Sequence, residues 1–195
     1  DQISIPFGIR TISFSAKEGF KLNDLSLKLK GGCVHHDNGL LGAASLDRAE
    51  MRKIELLKAN GYNAVRCAHN PPAEAFLRAC DEQGMLVIDE AFDHWQKEKN
   101  PQDYHRFFDE WNEKDISAMV LRDRNHPSVI MWSIGNEIQE RSDDAGVEIA
   151  ERLRNIVKKL DPSRPVTAAI NDYWDNPQLK WKEDAVKAMQ HLDVA

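Results

Sequence analysis

Cysteine is scarce in this sequence of 195 residues: Cys33, Cys67 and Cys80 are odd in number and form no C-x-x-C pair. That excludes a disulfide framework and a zinc knuckle and leaves all three to be read as small core residues. No apolar run approaches the roughly 18 residues that a spanning helix requires. The net charge of -6 is spread along the chain without a basic block or stripe that would draw a phosphate backbone. Membranes and nucleic acids therefore drop out as partners. A glycine-rich phosphate loop is also missing, since "GGCVHHDNG" lacks the required spacing before a helix, and no nucleotide cofactor is expected. The opening "DQISIPFGIRTISF" has no charged n-region followed by an apolar h-region, so no signal peptide is read within the chain and its compartment stays unread. It looks like the middle of a longer protein. With 42% hydrophobic and 30% charged residues, what remains is an ordinary globular composition with material for one sizeable core.

What is present is periodic. Ile3, Ile5, Phe7, Ile9, Ile12 and Phe14 come close to alternating, which predicts a half-buried strand that no early partner follows. "GFKLNDLSLKLKGG" reads as a hairpin turning at Asn23-Asp24, with Leu25, Leu27 and Leu29 on one face before a Gly31-Gly32 break. The period then changes. "SLDRAEMRKIELLKANG" places Met51, Ile54 and Leu57 on one helical face, with Asp47 and Glu50 in capping-box relation and Gly61 as a stop. "NAVRCA", "MLVIDEA", "SVIMWSIG" and "PVTAAI" are near-continuously apolar strands, and "LDVA" looks like another beginning. Between them lie helices at "PPAEAFLRACDEQG", at about Asp103 to Arg124, at "DDAGVEIAERLRNIVKKL" and at "KEDAVKAMQH". Counting "LKLKGGCV" as the first strand gives six, alternating with helices, and implies a parallel sheet covered by helices. An open doubly wound sheet and a (β/α)8 barrel both satisfy that pattern.

The strand ends favour the barrel. Four successive strands finish in reactive side chains: His35 and His36, then Arg66 and His69, then Asp89 and Glu90, then Asn136 and Glu137. In a barrel such ends converge on one face, where active sites sit. A single Glu at a strand end is usually a solvated loop residue; convergence from four strands reverses that reading. His35 and His36 suggest a metal, but adjacent strand residues point to opposite faces, so only one can reach a common site. No metal is expected, and a metal-dependent hydrolysis using His35, His69 and Asp89 stands as an alternative. His69 in "HNPP" reads equally as a satisfied loop histidine or a sugar-contacting group. Arg66 sits inside an apolar strand, where a buried guanidinium needs an anion, structural or catalytic. Trp132 reads as core. Trp111, Trp174 and Trp181 are scattered over helix edges and loops, and Trp95, just past the third strand, is the tryptophan assigned to line a pocket. Asp123 and Arg124 read as local ion pairs and caps at a helix end.

These residues carry a resemblance. "DRNHPSVIMWSIGNE" (Asp123 to Glu137) and "NAVRCAHNPPAEAFLRACDEQGMLVID" (Asn63 to Asp89) resemble the two signature regions of glycoside hydrolase family 2, the β-galactosidase, β-glucuronidase and β-mannosidase group. Upstream, "FKLNDLSLKLKG" resembles the family's entry into its barrel. The resemblance implies a retaining exo-β-glycosidase on a TIM barrel, most like the β-galactosidases. Residues 1–16 would then be the terminal strand of a preceding β-sandwich domain, and residues 17–195 the first part of the barrel, about six strands. By motif position Glu137 corresponds to the general acid/base and Asn136 to the amide that bonds the sugar 2-hydroxyl. His35 and His69 correspond to subsite histidines, and Arg66 to the arginine supporting the catalytic carboxylates. A retaining reaction needs two carboxyl groups about 5 Å apart, and the donor must stay protonated near neutral pH, which an apolar strand end favours.

Departures from the family pattern set further expectations. Its nucleophilic glutamate ends the seventh strand, so none is assigned here and the isolated chain is expected to be inactive. Asn70 stands where the family usually has Tyr, which puts galactose specificity in question. "DEAFDHWQ" lacks the Glu-x-His spacing of metal-binding β-galactosidases. A partial barrel would expose strand edges and self-associate. The reading from a different class is a non-catalytic carbohydrate-binding or scaffold unit.

Overall fold

In the computed structural model, residues 3, 6–141, 143–171 and 186–194 are described. Two sheets are present among them. The first is antiparallel, β1 (Ile12–Ser15), β2 (Gly19–Leu22) and β3 (Leu25–Ser26), in that order. The second has the order β4 (Gly31–His35), β5 (Ala64–Ala68), β6 (Leu86–Glu90), β7 (Val129–Asn136), β8 (Val166–Ala169). The helices are α1 (Asp47–Ala59), α2 (Glu74–Gln83), α3 (His105–Asp123) and α4 (Asp144–Leu160). Pairing is parallel, with Val65 opposite Val87 and Trp132 opposite Val166. Strand order follows chain order without reversal, as in consecutive barrel staves and unlike the switch point of a doubly wound sheet. Leu192–Val194 is not a strand, although the Asp193 amide bonds the Val166 carbonyl at 2.8 Å. "KEDAVKAMQH" lies partly outside the described residues; 186–189 of it are helical.

The chain divides into two compact units. The first holds 1–67, 72–88 and 123–130, with α1, α2, the antiparallel sheet and β4. Several sequence expectations change here. Ile5 lies outside the described residues; among those described, the first strand starts at Ile12 and has a partner: Ala16–Glu18 is a turn, Ser15 Oγ accepts the Glu18 amide at 2.9 Å, and Phe14 lies opposite Phe20. Phe7 and Ile9 are exposed, and Arg10 donates to the Pro127 and Val129 carbonyls at 2.5 Å each. Gly31 and Gly32 do not break a strand but begin β4. A Cβ on Gly31 would lie 1.9 Å from the Ala64 carbonyl oxygen, so only glycine lets β4 pass β5 that closely. Finally, Cys33 is exposed, whereas Cys67 and Cys80 are buried. The Asn23-Asp24 turn is as expected, both residues having positive φ (50° and 64°), as a two-residue type I′ hairpin requires. Helix α1 turns Ile54 fully inward, but Asp47 is its first residue, not its cap; Glu50 is buried and bonded by Asn38 (2.8 Å) and Lys53 (3.0 Å).

The second unit holds 68–71, 89–122 and 131–195. Its core forms where α4 turns Val147, Ala150, Leu153 and Val157 inward, the face expected from their spacing. Trp132 is fully buried and its indole N–H donates to Asp161 at 2.9 Å. Asp161 also accepts from Arg164 (2.5 Å) and from the Ser163 amide and hydroxyl (2.9 and 2.5 Å). Burial alone would raise this carboxyl, but Ser163, Arg164 and Trp132 outweigh it and lower it to about 2.

Two outcomes are expected in urea unfolding. Gly31→Ala costs about 1–3 kcal/mol, while Gly32→Ala, whose added methyl meets only Tyr62 at 3.7 Å, stays within about 0.5. A carboxyl lowered on folding stabilises above its unfolded pKa of 3.8 and loses that contribution as pH falls toward about 2. The native chain therefore loses roughly 2 kcal/mol through Asp161 between about pH 5 and pH 2, a component absent from Asp161→Asn.

Candidate active site

Strand β7 is buried at all eight positions and ends on Asn136. Such a strand is a rigid mount, because every side chain along it is held by packing. Glu137, the next residue, has φ of +46° and an exposed side chain, and its amide donates to the Ala169 carbonyl at 2.9 Å. The positive φ ends the ladder and turns Glu137 out of it; a non-glycine residue there is strained. Asn136 is only 5% exposed. Its Nδ2 donates to Asp93 Oδ1 at 2.8 Å, and its carbonyl accepts from Lys99 Nζ at 2.9 Å. Lys99 Nζ also lies 2.8 Å from Asp93 Oδ1. Burial alone would raise the Asp93 carboxyl; hydrogen bonds from Lys99 and Asn136, with the charges of Lys99 and His69, lower it.

A second cluster forms around Glu90, which has no exposure at all. His69, just past β5 and joined to Ala68 by a cis peptide bond, places Nδ1 2.7 Å from Glu90 Oε1. From β7, the Ser133 hydroxyl donates to Glu90 Oε2 at 2.5 Å. Glu90 thus links the end of β5 to the middle of β7 within this unit, and its neighbour Asp89 is equally buried. His69 and Asp93 face a cavity of about 460 Å3, walled further by Phe92, Tyr104 and Met119; Asn136 and Glu137 do not line it.

Trp95 departs from its expected place. It is 2% exposed, packs against Phe108 at a centroid distance of 6.4 Å, and donates its N–H to the Ile134 carbonyl at 2.9 Å. It anchors its loop in the core and presents no open face for a sugar. Trp174 and Trp181 lie outside the described residues. His35 and Arg66 belong to the first unit: His35 ends β4 with its side chain exposed, and Arg66 is half-buried, with Nη1 3.6 Å from Cys33 Sγ. Arg66 is thus less enclosed than its apolar strand suggested. His36 lies past the end of β4 with Nε2 3.2 Å from the Ala43 carbonyl. Among the described residues, no three His, Cys, Asp or Glu side chains are placed to hold a metal ion.

Sequence reasoning missed Asp93, Lys99, Ser133 and Glu140. Glu140 is buried, and its Oε1 accepts the amides of Gln96 (2.7 Å) and Lys97 (3.1 Å). The available signal was an acid three residues beyond Glu90 and another three beyond Glu137; nothing local says what either holds.

Residues 15–191 match the model of the glycosyl hydrolases family 2 TIM barrel domain. The chain belongs to glycosyl hydrolase family 2. Among curated relatives of this family 2 barrel, the β-galactosidase BoGH2A of Bacteroides ovatus is 44% identical over 88% of the chain and 24% of its own length. A putative β-glucuronidase of Formosa agariphila is 40% identical over 88% of the chain and 16% of its own. Among solved structures, a family 2 member from Bacteroides cellulosilyticus superposes with a TM-score of 0.89 at 55% identity, covering 96% of this chain and 23% of that one. The family 2 chain here thus spans about a quarter or less of the length of these relatives.

Removing a donor from a buried carboxylate is costly. Ser133→Ala is expected to destabilise the family 2 barrel by about 1.5–3 kcal/mol in urea unfolding, and Ser133→Thr, which keeps the hydroxyl, by clearly less.

Proposed function

We propose that this chain supplies the general acid/base part of a retaining exo-β-glycosidase, β-galactosidase-like, acting on carbohydrate O-glycosidic bonds. The observation that carries the reading is Glu137 in a left-handed turn immediately past a fully buried strand, beside an Asn136 whose amide is hydrogen-bonded. Family membership supports it, and the names of the relatives include both galactosidases and glucuronidases. In this reading Glu137 protonates the leaving oxygen and then, as carboxylate, activates the water that resolves the glycosyl-enzyme intermediate. Asn136 bonds the sugar 2-hydroxyl, and His69, oriented by Glu90, meets another hydroxyl of the same ring. His35 and Arg66 receive the sugar-lining and carboxylate-supporting roles by resemblance alone.

Proton donation matters in proportion to how poor the leaving group is. In the complete enzyme, Glu137→Gln is expected to slow an alkyl β-galactoside by roughly 10²–10⁴-fold and a dinitrophenyl β-galactoside by less than about tenfold in the glycosylation step. Steady-state and single-turnover kinetics on both substrates check this. An equal loss on the two would overturn the assignment, and unchanged hydrolysis would leave a carbohydrate-binding role in its place.

A further inference from the structure

The loop following β6 is tied to the β7 side of its own unit at several points. Trp95 reaches the Ile134 carbonyl, Glu140 takes the amides of Gln96 and Lys97, and Lys99 reaches the Asn136 carbonyl. The last tie closes a triangle, because Lys99 Nζ and Asn136 Nδ2 both lie 2.8 Å from the same oxygen, Asp93 Oδ1. A carboxylate can only accept, so it selects the NH2 end of the Asn136 amide. Rotating that amide by half a turn would set two acceptor oxygens against each other. Lys99 keeps the Asp93 oxygen in place, and its bond to the Asn136 carbonyl fixes the backbone from which the amide projects.

We propose that Asp93 is a positioning residue whose hydrogen bond sets the orientation in which Asn136 meets the sugar 2-hydroxyl, with Lys99 holding Asp93 to that task. This rests on the reading of Asn136 given above. Its consequence is selective: loss of Asp93 injures only the part of transition-state binding that passes through the 2-hydroxyl.

The test uses the complete enzyme, an aryl β-galactoside and the matching 2-deoxy glycoside. Asp93→Ala is expected to lower kcat/KM at least tenfold on the 2-hydroxy substrate, chiefly through kcat, and less than threefold on the 2-deoxy one. Comparing mutant with native enzyme on each substrate cancels their different intrinsic reactivities. Asp93→Asn returns an oxygen that Lys99 draws toward itself and is expected to recover most of the loss. Should Asp93→Ala fail to fold, Lys99→Met, which leaves the carboxylate in place, is expected to show the same selectivity at about threefold. Equal losses on both substrates, with native discrimination intact, would overturn the positioning role alone. An Asn136→Ala variant with native kinetics on both substrates would overturn the reading of Asn136, and the role of Asp93 with it.

Discussion

A carboxylate withdrawn from water must be satisfied by its neighbours, and at Glu90 those neighbours come from other strands. His69 approaches from the end of β5 and Ser133 from within β7. The desolvation cost of the acid is met by charge-assisted bonds that work only while the three strands keep their register. Parallel pairing brings the chain ends of these strands together; the buried acid then fixes how they face one another.

The same logic recurs one loop later at lower burial. Asp93 is less enclosed than Glu90 but has a cation within 2.8 Å, so its charge is balanced at close range. Glu140 uses a carboxylate oxygen to gather two successive backbone amides. Three acids on two adjacent chain segments thus each hold a different thing: a histidine ring, an asparagine amide and a stretch of backbone. Glu137 is the exception, since it is exposed and its backbone amide, not its side chain, makes the bond to the Ala169 carbonyl.

The fold was legible where the physics is local and repeated. Helix α4 announced its inner face through Val147, Ala150, Leu153 and Val157, and β7 declared its burial through an unbroken apolar run. Asn23-Asp24 named its turn. Gly31 misled, because a glycine required by the carbonyl of Ala64 looks in sequence like one that ends a strand. Cys33 misled as well: its residue type suggests burial, yet its side chain is exposed. Trp95 was legible as important and misjudged in role, since sequence cannot tell a ring that packs from one that stacks on a ligand. The candidate site was readable at the strand tips and unreadable at Asp93, Lys99 and Glu140, which each bond to a group 37 to 44 residues away in the chain.

The left-handed backbone at Glu137 sets stability and chemistry against each other. Glycine or asparagine would sit there more comfortably than a glutamate. Any search for a sturdier barrel that scores only folding would drift toward those residues and erase the acid. A chain that keeps glutamate at this turn has been held there by something other than its own thermodynamics.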